Sequence, residues 1–495
     1  MKFSRRDLLT SSTLALTGAL PAQLAAATSD GKSSGVNVRN PASGESLALA
    51  RYVERTRFAD LPADVVEMTK RSILDAIGVS LAASGLEPAC KPFLDFALDS
   101  DGPREATLLG TGRRAPLVLA ALANGSLAHA MDYEDAHEET RTHPNAAAIA
   151  AALPLSERFG SSGQDLITAI ALGCDLVCRL ARALVSEGPP PPGFYQPAIV
   201  GTFGAVTAAA KLLRLDAQQI LDAWSLALCQ NSCSAELQNA PESQIRAVRE
   251  GFCARVALES ALLAAKGVRG FTAPFEGDSG FFTMYAQGLQ RCTLLDDLGV
   301  RFAGRDVSFK AWPSCRDTHI YVQAVLELLA EQPLDPDGIA SVTALVTSQQ
   351  MIVCEPANLK RRPRTAIAAK FSLYYTLAAA LIDRRVEFAS FFDEALVRPQ
   401  VLTLADKVNY RVVQSVGSGE VLEVRMRDDT THHRSVRALI GSPAAPLAVD
   451  ALVSKFTDCG GRALRPRSPS ELRGIAMQLL ALDQQRSART VLGRL

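Results

Sequence analysis

The stretch that decides both fold and site runs from 121 to 155 and reads ALANGSLAHAMDYEDAHEETRTHPNAAAIAAALPL. It holds three of the six histidines of the chain, His129, His137 and His143, and five carboxylates lie among them. Alanine- and leucine-rich runs flank this polar segment on both sides. Because such runs favour buried helices, polar side chains concentrated between two of them indicate a functional site.

The order of residues within the stretch suggests an acid–base pair. His129 and Asp132 are three residues apart, so a helix over 121–130 that continued to them would place them on one face. His143-Pro144 is predicted to begin the next helix, since proline is favoured in a first turn. A helix N-terminus attracts anions. A substrate carboxylate held there would lie between His143 and Asp132, which can move a proton on the neighbouring carbon.

The other polar residues of the stretch have simpler interpretations. Loop carboxylates are usually solvated, and we predict this for Glu134, Glu138, Glu139 and also for His137. His129 is either a site residue or a hydrogen-bonded core histidine. No metal site is predicted, because neither HExxH nor a comparable ligand spacing occurs.

Composition limits the class of protein. A chain of 495 residues is too long for one simple core, so two or three domains are expected. Hydrophobic residues make up 48% and charged residues 21%, which is typical of a globular protein. Equal numbers of basic and acidic residues, 52 each, argue against a nucleic-acid partner. Beyond the N-terminus no apolar run is long enough for a membrane span.

The N-terminus has the layout of a twin-arginine export signal. Arg5-Arg6 precedes an apolar stretch that ends at Leu24, and Ala25-Ala26-Ala27 is a small-residue cleavage site. An amphipathic N-terminal helix is the alternative. We predict a signal peptide over 1–27, a linker over 28–46 and a periplasmic or otherwise exported protein, without membrane contact after cleavage. The ten scattered cysteines are predicted to be buried free thiols rather than disulfides.

Helical spacing dominates residues 47–300, and strand signals are nearly absent there. Many of the predicted helices are apolar on most faces, which favours central burial or a homodimer interface. The predicted helices are 64–83, 115–130, 146–159, 163–185, 201–213, 217–228 and 251–266.

Residues 301–440 have a different texture. The segment 341–347 is rich in β-formers, and 421–427 and 431–440 alternate around an Asp428-Asp429 turn, which predicts a hairpin. Helices are predicted between them at 319–331, 366–383 and 391–397. Residues 441–495 return to helical spacing. The predicted fold class is therefore mainly α: a helical domain from 47–300 and 441–495, with an inserted smaller α+β lid domain over 301–440 and a ligand cleft between them.

Several separated motifs resemble the MmgE/PrpD family, in the same order and over most of the predicted mature chain. They are Asn124-Gly125, His129-Ala130-Met131-Asp132, Asp135, His143-Pro144, the glycine-bearing run 201–205, a KxxPxCxxxH-like segment over 310–319 and a KFSLPY-like run over 370–375.

The resemblance implies a homodimer and chemistry on small di- or tricarboxylates without a metal, an iron–sulphur cluster or another cofactor. It carries over Asp132 and His143 as acid/base residues near the substrate. It also brings Lys310 and His319 to the site, where Lys310 and Arg316 would bind carboxylates and His319 would orient the substrate or transfer protons. Ion pairing between lid and body is the alternative role of Lys310, Arg316 and His319.

This chain departs from the family pattern at four positions. Ala136 stands where dehydratase and decarboxylase relatives carry threonine, and Tyr195 where they carry a catalytic histidine. Arg246 replaces their active-site lysine, and Arg249 replaces a frequent histidine. Arginine stays protonated, so it can bind a carboxylate but cannot act as a base. Tyr195 could act as a second acid.

The resulting prediction is a cofactor-independent lyase that dehydrates a small hydroxy-polycarboxylate, as 2-methylcitrate dehydratase does. The alternatives are an epimerase or isomerase, a decarboxylase of a small di- or tricarboxylate, or an exported carboxylate-binding protein without activity. The predicted catalytic residues are Asp132, His143 and Tyr195, and the predicted substrate-binding residues are Arg246, Arg249, Lys310, Arg316 and His319.

Overall fold

The computed structural model describes residues 44–184, 193–240, 242–286, 294–415 and 419–495. The predicted signal peptide and most of the predicted linker lie outside these residues. The fold begins slightly earlier than predicted, because the first helix starts at Glu45 rather than at residue 47. Ser46 is already buried, and its backbone N–H donates to a Glu276 carboxylate oxygen at 3.1 Å.

The described residues before 335 are mainly helical, as predicted, and among them one short hairpin occurs that the sequence did not suggest. The hairpin pairs β1 (Ala106–Leu108) with β2 (Arg113–Ala115). The helices are α1 (Glu45–Arg55), α2 (Ala63–Leu86), α3 (Lys91–Asp99), α4 (Leu117–Ala130), α5 (Ala146–Phe159), α6 (Gly163–Leu184), α7 (Gln196–Leu212), α8 (Ala217–Leu228), α9 (Ile245–Val248), α10 (Glu250–Ala265), α11 (Phe281–Tyr285) and α12 (Arg316–Glu331).

Helices α4 and α10 cross at backbone contact, which fixes the position of the site between them. A Cβ atom added to Gly125 would lie 2.6 Å from the Glu250 carbonyl oxygen, and one added to Gly251 would lie 2.5 Å from the Leu122 carbonyl oxygen. Real Cβ atoms do not come so close, so only glycine fits at this crossing. The end of α4 is thereby held beside the start of α10.

A mixed four-stranded sheet follows, with the strand order β4-β3-β5-β6. Its strands are β3 (Ile339–Val346), β4 (Val408–Val412), β5 (Glu420–Met426) and β6 (Thr431–Ser435). The antiparallel pairing of β5 with β6 confirms the predicted hairpin, although β6 ends at Ser435 rather than at residue 440. Strand β4, parallel to β3, was not predicted because it is a mostly exposed edge strand without strict alternation.

The helices around the sheet are α13 (Ala357–Arg361), α14 (Ala366–Lys370), α15 (Leu373–Asp383), α16 (Asp393–Leu396) and α17 (Pro399–Lys407). The single helix predicted over 366–383 is wrong. Ser372 divides it, because its side chain accepts the Tyr375 N–H and caps a new helix.

The C-terminal segment forms α18 (Val449–Gly461), α19 (Pro469–Leu480) and α20 (Arg489–Leu492). Helix α18 packs against α2, so the C-terminal segment contacts the helices of the N-terminal part. Residues 41–495 form one compact unit. The fold class is mainly α, as predicted, and the division into a body and a separate lid remains a prediction.

Among the described residues, no single helix has the length and apolar composition needed to cross a membrane, although the pair 63–86 and 88–99, bent by 91°, meets that test together. The nine described cysteines are free thiols. Seven of them are buried, as predicted, whereas Cys229 is exposed and Cys233 is half-buried.

Replacing Gly125 with alanine is expected to force α4 and α10 apart and to destabilise the protein by about 1–3 kcal/mol, the usual cost of overpacking. Urea unfolding measures the change. Gly474→Ala is the matched control, because Gly474 lies in α19 with nothing within 4 Å of its added Cβ atom. This control should gain roughly 0.5–1 kcal/mol. Equal effects of the two changes would contradict the backbone contact.

Candidate active site

The site begins where α4 ends. Helix α4 stops at Ala130, and Asp132 turns the chain in a left-handed conformation with φ of 49°. The Asp132 side chain accepts from Lys310 Nζ at 2.6 Å, and Lys310 also donates to the Asp132 carbonyl oxygen at 3.0 Å. Both side chains are fully buried. Two predicted site residues from distant parts of the chain therefore form one buried ion pair.

The two imidazoles of the site are held by one carboxylate. Glu134 Oε1 contacts His129 Nδ1 in a short hydrogen bond and lies 2.9 Å from His143 Nδ1. His143 Nδ1 also donates to the Asp135 carbonyl oxygen at 3.0 Å. Because a carbonyl oxygen only accepts, Nδ1 of His143 carries the proton. Nε2 of each ring is then left for a substrate, as in a carboxylate–histidine pair of a hydrolase.

His129 and Glu134 are both buried, but their surroundings leave them in different charge states. Burial, followed by the nearby Arg249 charge, lowers the pKa of His129 to about 3, so this imidazole is neutral at pH 7. Burial opposes the ionisation of Glu134, but the imidazoles and Lys310 outweigh it and hold its pKa well below the usual value. A neutral imidazole beside an ionised carboxylate is a general base.

Two buried arginines lie beside this cluster. Arg249 lies over the Tyr195 ring, with 5.0 Å from guanidinium carbon to ring centroid, and Arg246 lies 3.5 Å from the centroid of Phe371. Arg249 is also 3.1 Å from Glu250 Oε1, whose pKa burial raises. The aromatic faces orient both guanidiniums through cation–π contacts. The Tyr195 ring therefore contacts both arginines, an arrangement that the sequence did not predict.

Several buried polar atoms of this region have no hydrogen-bond partner among the described residues. Buried donors and acceptors are nearly always paired in folded proteins, so such a cluster indicates a place for a polar ligand. The atoms are His129 Nε2, Asp132 Oδ2, Glu134 Oε2, Arg246 Nε and Nη2, and Arg249 Nη2.

Two predicted site residues have their contacts elsewhere. Arg316 donates to Glu138 Oε1 at 2.7 Å and to the Ile440 carbonyl oxygen at 2.9 Å. His319 Nε2 lies 3.2 Å from the Ser314 carbonyl oxygen, and its Nδ1 lies 3.3 Å from Arg316. These contacts match the ion-pairing alternative for Arg316.

Three expectations for the central stretch are wrong. Glu134 and His137 are buried rather than solvated, and His137 Nδ1 bonds Thr140 Oγ1 at 2.9 Å. Helix α5 begins at Ala146, so Pro144 precedes it instead of occupying its first turn. Asp132 lies beyond the end of α4, so it and His129 share no helix face, although His129 Nε2 is 4.0 Å from Asp132 Oδ1.

The sequence analysis also missed Lys370 as a member of the site. Its buried ammonium has one weak bond, 3.4 Å to the Ala130 carbonyl oxygen at the end of α4. Burial is the main cause that lowers its pKa, against the opposing influence of Asp132. The one sequence feature that could have identified Lys370 is its position in the KFSLPY-like run.

Four of these side chains are also of metal-ligand type. His129, Asp132, Glu134 and His143 offer atoms that all lie within 4.8 Å of one another. Imidazole and carboxylate suit a divalent transition metal. The Lys310 ammonium, however, already neutralises Asp132, and both Nδ1 atoms face Glu134. Lysine thus supplies at Asp132 the positive charge that an ion would bring.

Comparison with known proteins identifies the family of the chain. Models of the MmgE/PrpD N-terminal domain and the MmgE/PrpD C-terminal domain match residues 47–291 and 312–479. Cis-aconitate decarboxylase of Homo sapiens is 28% identical over 435 residues, 83% of this chain and 86% of that protein. Cis-aconitate decarboxylase of Aspergillus terreus is 24% identical over 466 residues, 89% of this chain and 94% of that protein.

The matching family and these relatives identify the protein as an enzyme of the lyase class. The chain belongs to the MmgE/PrpD family, which confirms the resemblance read from its motifs.

Glu134→Gln should reduce kcat/KM by about 10²–10⁴, the range known for carboxylates that orient a catalytic histidine. The amide is isosteric but carries no charge to hold both Nδ1 protons. Activity on the best substrate found measures the loss. The control is Glu139→Gln, since Glu139 belongs to the same loop but is 58% exposed and pairs with Arg182. Full activity of Glu134→Gln would rule out its positioning role.

Proposed function

We propose that this enzyme is a metal-independent lyase that acts on a small di- or tricarboxylate by proton transfer at a carbon beside a carboxylate. One observation carries the proposal: two imidazoles held by a single buried carboxylate lie beside two arginines with unpaired N–H groups. The imidazoles supply base and acid, and the arginines bind carboxylates and stabilise developing negative charge.

His129 is the proposed base, because it is neutral and its Nε2 atom has no partner among the described residues. His143 is the proposed acid: it would act as the imidazolium, which carries a second proton on Nε2 and whose charge Glu134 offsets. Its side chain is 14% exposed, so solvent can return that proton after each turnover. Asp132 and Lys310 lie beside them as a second, ion-paired acid–base couple. Tyr195 is proposed to orient Arg246 and Arg249 rather than to transfer a proton, because it contacts both.

Decarboxylation is the first candidate, and the curated relatives favour it. In an unsaturated polycarboxylate the bond to one carboxyl carbon would break and release CO₂. The electron pair would move through the double bond, and the far carbon would take a proton from His143. This step needs an acid but no metal.

Dehydration is the second candidate, and the neutral His129 favours it. His129 would remove a proton from the carbon beside a carboxylate, the neighbouring C–O bond would break, and His143 would protonate the leaving hydroxide to give water. This was the default prediction from the sequence. Neither candidate identifies 2-methylcitrate as the substrate.

The two reactions differ in products. We would incubate the protein with cis-aconitate and with a series of hydroxy-polycarboxylates in D₂O, and follow CO₂ and the NMR spectrum. A decarboxylase releases CO₂ and leaves one deuterium in the product, whereas a dehydratase forms an alkene without CO₂. Dialysis against EDTA should leave the rate unchanged. His143→Ala should lower the rate at least about 10²-fold.

Tight binding of these acids without turnover or deuterium exchange would instead favour the non-catalytic binding protein. Exchange at the carbon without net conversion would favour an epimerase. Full activity of His143→Ala would rule out its role as the acid.

We also propose export by the twin-arginine pathway, supported by Arg5-Arg6 and the alanine run that ends at Ala27. These residues lie outside the described part of the chain. Replacing both arginines with lysine should leave a tagged protein in the cytoplasm as an unprocessed precursor. Unchanged export of that variant would argue against this pathway.

A homodimer is the proposed assembly. Phe252 and Leu263 lie three turns apart on α10 and are 44% and 42% exposed, and Phe96 on α3 is 58% exposed. Large apolar side chains exposed near one another indicate a protein interface. Light scattering should give twice the chain mass; a monomer at all concentrations would contradict it.

A further inference from the structure

A cavity of about 190 Å³ lies against the site arginine Arg246. The loop before α9 forms one wall, and α13 with the start of α14 forms the other. Its size suits a small organic acid rather than a larger ligand. The charged residues that line it are Glu242, Arg246, Lys360, Arg362 and Arg364, and Phe371 lies among them.

The charges of this cavity are unbalanced. Arg362 pairs with Asp406, and Arg364 lies 3.5 Å from Glu242. Arg246 is 5% exposed, and its Nε and Nη2 atoms have no partner among the described residues. Lys360 Nζ donates to a carbonyl oxygen, that of Phe371, at 2.8 Å.

Arg246 and Lys360 therefore line the same cavity, and neither has a carboxylate partner among the described residues. Burial first, and then the charge of Arg246, lower the pKa of Lys360 to about 8. An anion between them would remove this repulsion and would raise the pKa of Lys360 again. The charged and titratable groups around Lys360 are Arg246, Cys315, Cys354, Glu242, Arg362 and Arg364.

Arg246 connects the cavity with the arginine side of the site. It lines the cavity and lies 6.0 Å from the centroid of the Tyr195 ring, on which Arg249 also stacks. Arg249 in turn is close enough to His129 for its charge to lower the pKa of that imidazole.

We propose that this cavity binds the carboxylate of the substrate that is remote from the reacting carbon, and that Lys360 selects substrates bearing that additional carboxylate. Lys360 is thus a specificity-determining residue, and a tricarboxylate should be preferred over a dicarboxylate. The inference rests on the proposed function and names its substrate class more closely.

Steady-state kinetics of Lys360→Gln and Lys360→Arg test this inference, with matched tri- and dicarboxylates between pH 6.5 and 9.5. At pH 7 Lys360→Gln should raise KM for the tricarboxylate by about tenfold or more, because a charge-assisted hydrogen bond is lost. It should change kcat by less than about twofold, because the bond is present in ground and transition states alike. KM for the dicarboxylate should hardly change.

The pH profile provides a second readout. The wild-type KM for the tricarboxylate should rise above pH 8, where Lys360 loses its proton, whereas Lys360→Arg should keep a low KM throughout because arginine stays charged. Lys211→Gln is the control: Lys211 also donates to backbone carbonyl oxygens, of Val53 and Glu54, and burial also lowers its pKa, but it lies away from the cavity. It should leave KM unchanged.

An unchanged KM in an active Lys360→Gln enzyme would overturn the inference while leaving the proposed function intact. Absence of turnover with every di- and tricarboxylate would contradict the proposed function instead. In that case, isothermal titration calorimetry with tricarballylate, a saturated tricarboxylate, tests binding in the cavity independently of turnover. Binding weakened about tenfold in Lys360→Gln supports the cavity, and equal binding overturns it.

Discussion

The buried carboxylate of Glu134 is the interaction on which the site depends. Its Oε1 atom faces Nδ1 of both His129 and His143. An ionised carboxylate without water is costly unless donors surround it, so the hydrogen bond from His129 and the nearby His143 ring stabilise Glu134, and Glu134 in turn orients both rings. The result is a pair of imidazoles whose Nδ1 atoms face Glu134, which leaves both Nε2 atoms for a substrate.

The fold supports this cluster from three distant parts of the chain. The glycine crossing of α4 and α10 sets the distance between the His129 end of α4 and Arg249. Lys310 brings in the segment that precedes α12. Lys455 of α18 donates to the carbonyl oxygens of Tyr133 and Lys310 at 2.7 and 3.0 Å and pairs with Asp75. Lys455 of the C-terminal segment thus links the loop that follows α4, which contains Tyr133, to the segment that contains Lys310.

Much of this arrangement could be predicted from the sequence. Apolar periodicity located α5 and α8 to the residue, and strict alternation located the β5–β6 hairpin, because both patterns report which side chains are buried. Residue spacing did not predict that Glu134 is buried, nor that α5 begins two residues after Pro144. A loop carboxylate gives no sign of whether donors from elsewhere will surround it, and a proline before a helix does not fix where the first turn begins.

The substrate-binding side was less predictable for the same physical reason. Arg246 and Arg249 were proposed from the family resemblance. The partners of Arg316, by contrast, are Glu138 and Ile440, which are far from it in sequence and could not be predicted. Lys360 gave no sequence signal, since a lysine in a basic run is normally solvated. Its importance appears only when the fold places it against Arg246.

The most direct test of the central claim is the ¹⁵N NMR titration of the imidazole of His129 in the intact protein. We expect a neutral ring protonated at Nδ1, with an unprotonated Nε2 and no titration between pH 8 and 5, because burial and Arg249 hold the pKa of His129 at about 3. In Glu134→Gln the preference for this tautomer should be lost. A ring that titrates near the ordinary value of about 6.5, or that carries its proton on Nε2, would show that Glu134 does not orient His129 as a base.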